Sequence, residues 1–254
     1  MPTTTFRRIF DFRCLVRHLW PIILSTPLLL SSVSSLAAPH ATTLQRLAPN
    51  ASPHVLRLAT SALHCAQPGA EKLAVIDFSR SANEPRLWVF DLVNDRLLYE
   101  ELVSHGRETG DENALWFSNT PDSHQSSLGL FRTMNSYDGS NGYSLRLQGL
   151  EDGINDLAYE RAIVMHGADY VSESFIAENG RLGRSLGCPA VPQDVAGPLI
   201  DSIKEDQYLF AYYPDSQWLA ESSFLNCQRE SILAESIDAR GGPGRDLAMQ
   251  TTPR

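Results

Sequence analysis

The chain has 254 residues, 43% hydrophobic and 20% charged, with a formal net charge of −9. That composition supports one sizeable core with appendages. The acidic balance and the lack of any Lys/Arg run beyond Arg17 speak against nucleic acid or anionic lipid as a main partner, since both need a concentrated basic face.

Residues 1–37 have the layout of a secretory signal peptide: Arg7, Arg8, Arg13 and Arg17 precede an apolar run from Leu19 to Leu30, and small residues close it at Ala37. Pro21 and Pro27 interrupt that run, and it falls short of the roughly 20 residues a bilayer span needs. Membrane contact is therefore expected only during export, to the periplasm or cell envelope. The leader carries four arginines against Asp11, a net +3, so −9 becomes −12 for the exported chain.

Residues 38–72 form an N-terminal helical segment. Its first part, to Ser52, is polar and Pro-containing; "SPHVLRLATSALHCAQPG" then reads as a helix with Ser52 as N-cap, Pro53 at the first position and Pro68-Gly69 as the stop. From Leu73 the pattern turns to β-type runs: "KLAVIDF", a hairpin in "RLWVFDLVNDRLLYEELVSHG" turning at Asn94-Asp95, then "LGLFRTMN", "YSLRLQGL" and "RAIVMHG". "PQDVAGPLIDSIKEDQ" has helical spacing, with Pro198 expected in the first turn, and "YLFAYYP" is a core-type strand. The β-rich domain thus runs over residues 73–214. Residues 215–254 are expected to be a C-terminal helix and a disordered tail. The fold class is mainly β with flanking helices (α+β). Trp88, Trp116, Tyr208, Phe210, Tyr212 and Tyr213 are expected to pack in the core or hairpin.

Removing the leader leaves Cys65, Cys188 and Cys227, and three thiols cannot all pair. Cys65 and Cys227, both in helical segments, are the pair an oxidising compartment would staple. Cys188 is then the odd thiol, in "RLGRSLGCPAVP", among glycines and prolines that keep it out of regular structure. A buried structural thiol, a metal ligand and a nucleophile all remain open for it on composition alone. No close ligand pair of the C-x-x-C or H-E-x-x-H type is present, which speaks against zinc. His166 ends the apolar run "AIVM" and precedes Gly167, so a strand presents its imidazole on a rigid scaffold. A thiol nucleophile needs access, a base and oxyanion donors; His166 is the natural base. His105 also follows an apolar run, and a structural role is expected for it.

The stretch "MHGADYVSESFIAENGRLGRSLGCPA" resembles the active-site signature of the murein L,D-transpeptidases, a His-Gly followed by Ser-x-Gly-Cys, in a subgroup with Pro-Ala after the cysteine. "SSLGLF" resembles the turn and strand upstream of that family's histidine. The resemblance implies a β-sandwich catalytic domain with N- and C-terminal helices, no cofactor and no metal, and a cysteine acyltransferase acting on peptidoglycan tetrapeptide stems. Cys188 would attack the amide between the third, diamino acid residue and the terminal D-amino acid, leaving a thioester for an amine to resolve in cell-wall cross-linking or remodelling. His166 would be the base, oriented by the Gly167 carbonyl rather than by Asp169. Ser185 would assist the proton network, and the N–H groups of Gly187 and Cys188 would receive the oxyanion. Many members carry an arginine two residues after the cysteine, where Ala190 stands here, so Arg184 or Arg181 is expected to meet the substrate carboxylate. Tyr137 and Tyr143 are expected to line the stem-peptide groove. The rival functions are an L,D-carboxypeptidase, with water as acceptor, and a non-catalytic peptidoglycan-binding protein with a degenerate site.

Overall fold

The computed structural model describes residues 38–66 and 69–227. The expected signal peptide and the disordered tail beyond Cys227 lie outside the described residues. Helices α1 (Ala38–Leu47) and α2 (Pro53–Ala66) open the described chain. On α2, Val55, Leu56, Ala59, Ala62 and Leu63 are buried; their 3- and 4-residue spacing gives one apolar face, and each large side chain so covered contributes about 1.5–3 kcal/mol. Helix α1 lies in the polar, Pro-containing part of the expected helical segment, where the sequence pattern assigns no helix. Ala41 and Leu44, and Ala48 just past its end, recur at helical spacing and are buried, a short stripe masked by the polar residues between them.

Eight strands follow: β1 (Lys72–Asp77), β2 (Leu87–Asp91), β3 (Arg96–Glu101), β4 (Gly129–Gly139), β5 (Gly142–Gly149), β6 (Val164–Ala168), β7 (Ala190–Pro192) and β8 (Tyr208–Tyr212). They make one mixed sheet in the order β3-β2-β1-β8-β4-β5-β6-β7. Only β1–β8 and β6–β7 are parallel. All five residues of β2 and of β8 are buried, so these strands are covered on both faces. The β2–β3 turn is held by Asp91, whose Oδ1 accepts the N–H groups of Val93 and Asn94, with Asp95 at φ +50°.

The two ends of the sheet meet. Just past β3, Ser104 donates its N–H to the Ala190 carbonyl at 2.8 Å and its Oγ accepts from Ala190 N–H at 3.2 Å; a parallel bridge joins Gly106 to Ser185. The sheet closes on itself into a barrel-like arrangement with flanking helices, in keeping with the expected mainly β, sandwich-like class, and the closure brings segment 103–106 against the cysteine loop. The main core lies between the sheet, α2 and α4 (Gln193–Ile203). A small second cluster of Leu102, Ala168, Val171, Leu182 and Ala190 lies on the other face of β6 and β7.

Two expectations about elements need correction. Pro198 sits inside α4, five residues after Gln193, because the helix begins directly after Pro192. The missing N–H removes one intrahelical bond, and burial of Ala196, Leu199, Ile200 and Ile203 holds the helix across it. Trp116 is 65% exposed rather than core, because it lies in the irregular stretch between β3 and β4, with its N–H on Thr109 O. Helix α3 (Glu173–Asn179), capped by Ser172 Oγ and ended by Gly180 at φ +76°, escaped notice because only Phe175 and Ile176 are even half-buried on it, too little for an apolar period. Helix α5 (Ser216–Glu221) begins at the Asp215 cap, and residues 223–227 are again helical.

Cys65 and Cys227 form a disulfide, with Cα atoms 6.2 Å apart across 162 residues. Closing so long a loop is worth about 5 kcal/mol on the chain-entropy account. Among the described residues no helix is long and apolar enough to cross a membrane.

Candidate active site

The parallel pairing of β6 and β7 sets His166 opposite Ala190, which puts Cys188 level with Val164, two residues before His166. Cys188 Sγ accepts the Val164 N–H at 3.4 Å and points its thiol toward Ala162 O at 3.7 Å. Residues two apart in a strand share a face and lie about 7 Å apart, so the sulfur and the imidazole occupy one face of β6. Both residues are buried, at 9% and 6% exposure. Among the described residues no hydrogen bond joins Sγ to the ring.

His166 Nδ1 lies 2.9 Å from Gly167 O. A carbonyl only accepts, so Nδ1 carries the proton and Nε2 keeps the lone pair a base requires. Asp169 is exposed, and its carbonyl receives Ser172 Oγ; it does not hold the histidine. A Cβ at Gly167 would come within 2.8 Å of Ala196 Cβ and Gln193 Oε1, so the glycine lets α4 pack closely behind the ring.

The cysteine loop is tied by Ser185, whose Oγ donates to Cys188 O at 2.6 Å and accepts Gly187 N–H at 3.1 Å. This corrects one expectation: the Gly187 N–H is already committed, so of the two proposed oxyanion donors only the Cys188 N–H has no described acceptor. The physical reason is the tight turn, which folds Gly187 N–H back onto the serine. Gly187 itself has φ +121°, its carbonyl accepts Ser126 Oγ at 3.0 Å, and a Cβ would lie 2.8 Å from Gln125 O. No other residue fits there.

Burial pushes the Cys188 thiol up, while the Val164 N–H and the charge of Arg161 pull it down. Arg161, which sequence reasoning passed over as the start of a strand, anchors the stretch that walls the loop: its guanidinium donates to Ser118 O, Ser127 Oγ, Ser123 Oγ and Gln125 O. Tyr170 was missed too. Burial and the neighbouring Cys188 push its hydroxyl up to about 12, against a hydrogen bond with Ser104.

The expected substrate residues divide. Arg184 Nη1 donates to Arg107 O, Gly110 O and Asp111 Oδ1, the last at 2.8 Å, and Arg181 reaches the same carboxylate at 3.9 Å. Both are committed to holding the loop after Gly106. Tyr143 packs on the core side of the sheet, its hydroxyl on Asp201 of α4 at 2.6 Å. The groove role expected of it is therefore corrected: alternation along β5 turns Tyr143 away from the face that carries His166. Tyr137 stays on that face, because Tyr137 pairs with Ser144 and Ser144 with His166, and directly paired residues share a side.

A family model described as the L,D-transpeptidase catalytic domain matches residues 47–212. No curated protein matches significantly. Solved structures similar to the chain include the LD transpeptidase LdtMt1 in complex with imipenem (16% identical, TM-score 0.36, 57% of this chain and 60% of that one). An L,D-transpeptidase from Mycobacterium smegmatis is 14% identical, with TM-score 0.36 and the same coverage. The helical cell shape determining protein Pgp2 from Campylobacter jejuni is 8% identical, with TM-score 0.42 over 72% of this chain and 66% of that one. The chain spans about three-fifths of the length of the first two. The family assignment rests on the family model alone.

Proposed function

Since this chain belongs to the L,D-transpeptidase catalytic domain family, we propose that it is a cysteine acyltransferase acting on peptidoglycan tetrapeptide stems, with Cys188 as nucleophile and His166 as base. The observation that carries this reading is the β6–β7 register, which sets Cys188 Sγ on Val164 N–H and His166 on the same face of the same strand, with Nδ1 committed to a carbonyl.

Burial raises the Cys188 thiol above its ordinary range, so the proposed attack includes a proton transfer away from Sγ. Nε2 takes that proton, directly after a side-chain rotation or through one water. Sγ bonds to the carbonyl carbon of the diamino acid residue, and negative charge moves to its oxygen, where the Cys188 N–H is the available donor. The imidazolium returns the proton to the departing D-amino acid nitrogen as the C–N bond breaks, leaving a thioester. An amine of a second stem then attacks, gives its proton to Nε2 and restores the thiol. Ser185 acts by fixing the loop, through the two bonds that tie it to Gly187 and Cys188. The leader pattern and the Cys65–Cys227 disulfide support an exported protein of the periplasm or envelope.

The test is incubation of the purified chain with disaccharide tetrapeptides, followed by mass analysis, with a carbapenem in a parallel arm. Release of the terminal D-residue with a cross-linked product is expected, together with a carbapenem adduct on Cys188 that Cys188→Ala abolishes. Release without cross-link would identify the hydrolytic carboxypeptidase. Neither product nor adduct would leave a binding protein and sink the enzyme.

A further inference from the structure

The face of the sheet that carries Cys188 and His166 also carries a cation with no acidic partner. In the β5–β6 pairing Arg146 stands opposite Val164, and Val164 is the residue whose N–H meets Cys188 Sγ. Arg146, Val164 and Cys188 therefore lie on one level across three adjacent backbones, which places Arg146 about 10 Å from the cysteine. The next level reads Tyr137, Ser144, His166, Ala190. The direction of the Arg146 side chain is fixed by its contact: its guanidinium carbon lies 3.8 Å from the centre of the Tyr137 ring. Since Tyr137 shares the His166 face, the cation does too.

We propose that Arg146, shelved on Tyr137, is the anchor for a carboxylate of the acyl-donor stem, and so sets donor specificity. This rests on the transpeptidase reading above. Among the described residues, six of the other arginines from β1 onward are within 4.0 Å of a carboxylate, and the remaining two, Arg86 and Arg161, donate to backbone carbonyls. Among the described residues Arg146 alone of this set makes neither kind of contact. An idle guanidinium in a chain of net charge −9 is unusual, because carboxylates are plentiful nearby in sequence. Stacking covers its flat face and leaves the N–H edge open, which is the edge that binds a carboxylate in the bidentate manner. At the end of the neighbouring level Ala190 offers only a methyl, and Arg181 and Arg184 are held by Asp111. Arg146 is thus the cation on this face still free to take an anion. The donor stem carries two carboxylates near the scissile amide: that of the terminal D-residue, and that on the side chain of the diamino acid when it is not amidated. Both have the same chemistry, and the distance of Arg146 from the sulfur suits a group one side chain away from the reacting carbon.

The experiment measures steady-state turnover by the full chain on three donors: the tetrapeptide stem, the stem with its terminal carboxyl amidated, and the stem with its diamino acid carboxyl amidated. Arg146→Gln is expected to raise KM for the first donor roughly 10- to 100-fold with a smaller change in kcat, the loss of one charged hydrogen-bonded pair. Arg146→Lys recovers part of that loss. Wild type discriminates against one amidated donor by a similar factor, Arg146→Gln does not, and that donor identifies the carboxylate. Alkylation of Cys188 by uncharged iodoacetamide stays unchanged in both variants. The inference is overturned if wild type turns over the stem and Arg146→Gln matches it within about 2-fold on every donor, or if the variant loses alkylation as well, which would make Arg146 a support of the fold. If wild type turns over no stem at all, the transpeptidase reading fails first and takes this one with it.

Discussion

The molecule contains two buried His-Gly pairs, each at the end of an apolar run, and they meet different fates. His105 is fully buried with both ring nitrogens spoken for: Nδ1 lies 2.8 Å from Arg86 Nη2 and Nε2 lies 3.3 Å from Gly110 O. Arginine only donates, so Nδ1 is the acceptor and Nε2–H the donor. Burial and the adjacent Arg86 charge lower His105 to about 3, and it is a neutral brace. Arg86 is itself buried and donates to the Val103 and Arg80 carbonyls. Through its carbonyl His105 also receives Ser185 N–H at 2.9 Å, so the brace supports the cysteine loop from behind. His166 has only Nδ1 committed, to the carbonyl of the next residue. The dipeptide is the same; the partner of the second nitrogen separates a brace from the proposed base.

The largest expected effect falls on His166. His166→Gln should lower turnover of tetrapeptide stems by about 10²- to 10⁴-fold, the usual worth of a general base, and slow iodoacetamide alkylation of Cys188 near neutral pH, with stability changed by about 1 kcal/mol or less. Unchanged alkylation would mean that the two histidines are alike after all. The brace should respond the other way. Arg86→Met strands the His105 acceptor and three backbone contacts in the interior, so chemical denaturation should show a loss of about 3–5 kcal/mol; a loss under about 1 kcal/mol would deny Arg86 its role.

The smallest effect is a pH slope. His105 has its folded pKa far below the unfolded value of 6.5, so the unfolded chain takes up a proton that the folded one refuses. Its contribution is complete above pH 6.5 and is lost as pH falls toward about 3. Stability should decline by up to about 1.4 kcal/mol per pH unit between pH 6.5 and about 4.5, above the range where most carboxylates titrate. Urea titrations of the chain and of His105→Gln measure it; parallel slopes for the two would place the proton uptake elsewhere.

Much of the fold was legible from local pattern. The runs "KLAVIDF" and "YLFAYYP" became β1 and β8 because apolar β-formers bounded by polar turns have few alternatives, and Asn94-Asp95 turned the hairpin as its side chains allow. What escaped was of two kinds. Helix α3 only half-buries Phe175 and Ile176, and β7 has only three residues, so neither leaves a period to find. At the site, Cys188, His166 and Ser185 stood out because they fill a dense motif, whereas Arg146, Arg161 and Tyr170 sit in ordinary strand and loop sequence and gain meaning only from what lies across from them.

The sequence by itself determined the strand-rich class, the odd count of thiols in the exported chain and the candidate nucleophile and base, because these depend on residue type and short spacing, whereas the Cys65–Cys227 pairing it suggested spans 162 residues and was decided by the fold. Only the tertiary structure decided that Gly187 N–H is used up by Ser185, that Tyr143 faces α4 while Tyr137 faces the histidine, and that Arg181 and Arg184 are tied to Asp111 while Arg146 is not. Those outcomes depend on strand register, and register couples residues tens of positions apart, where a slip of one residue turns every side chain to the other face.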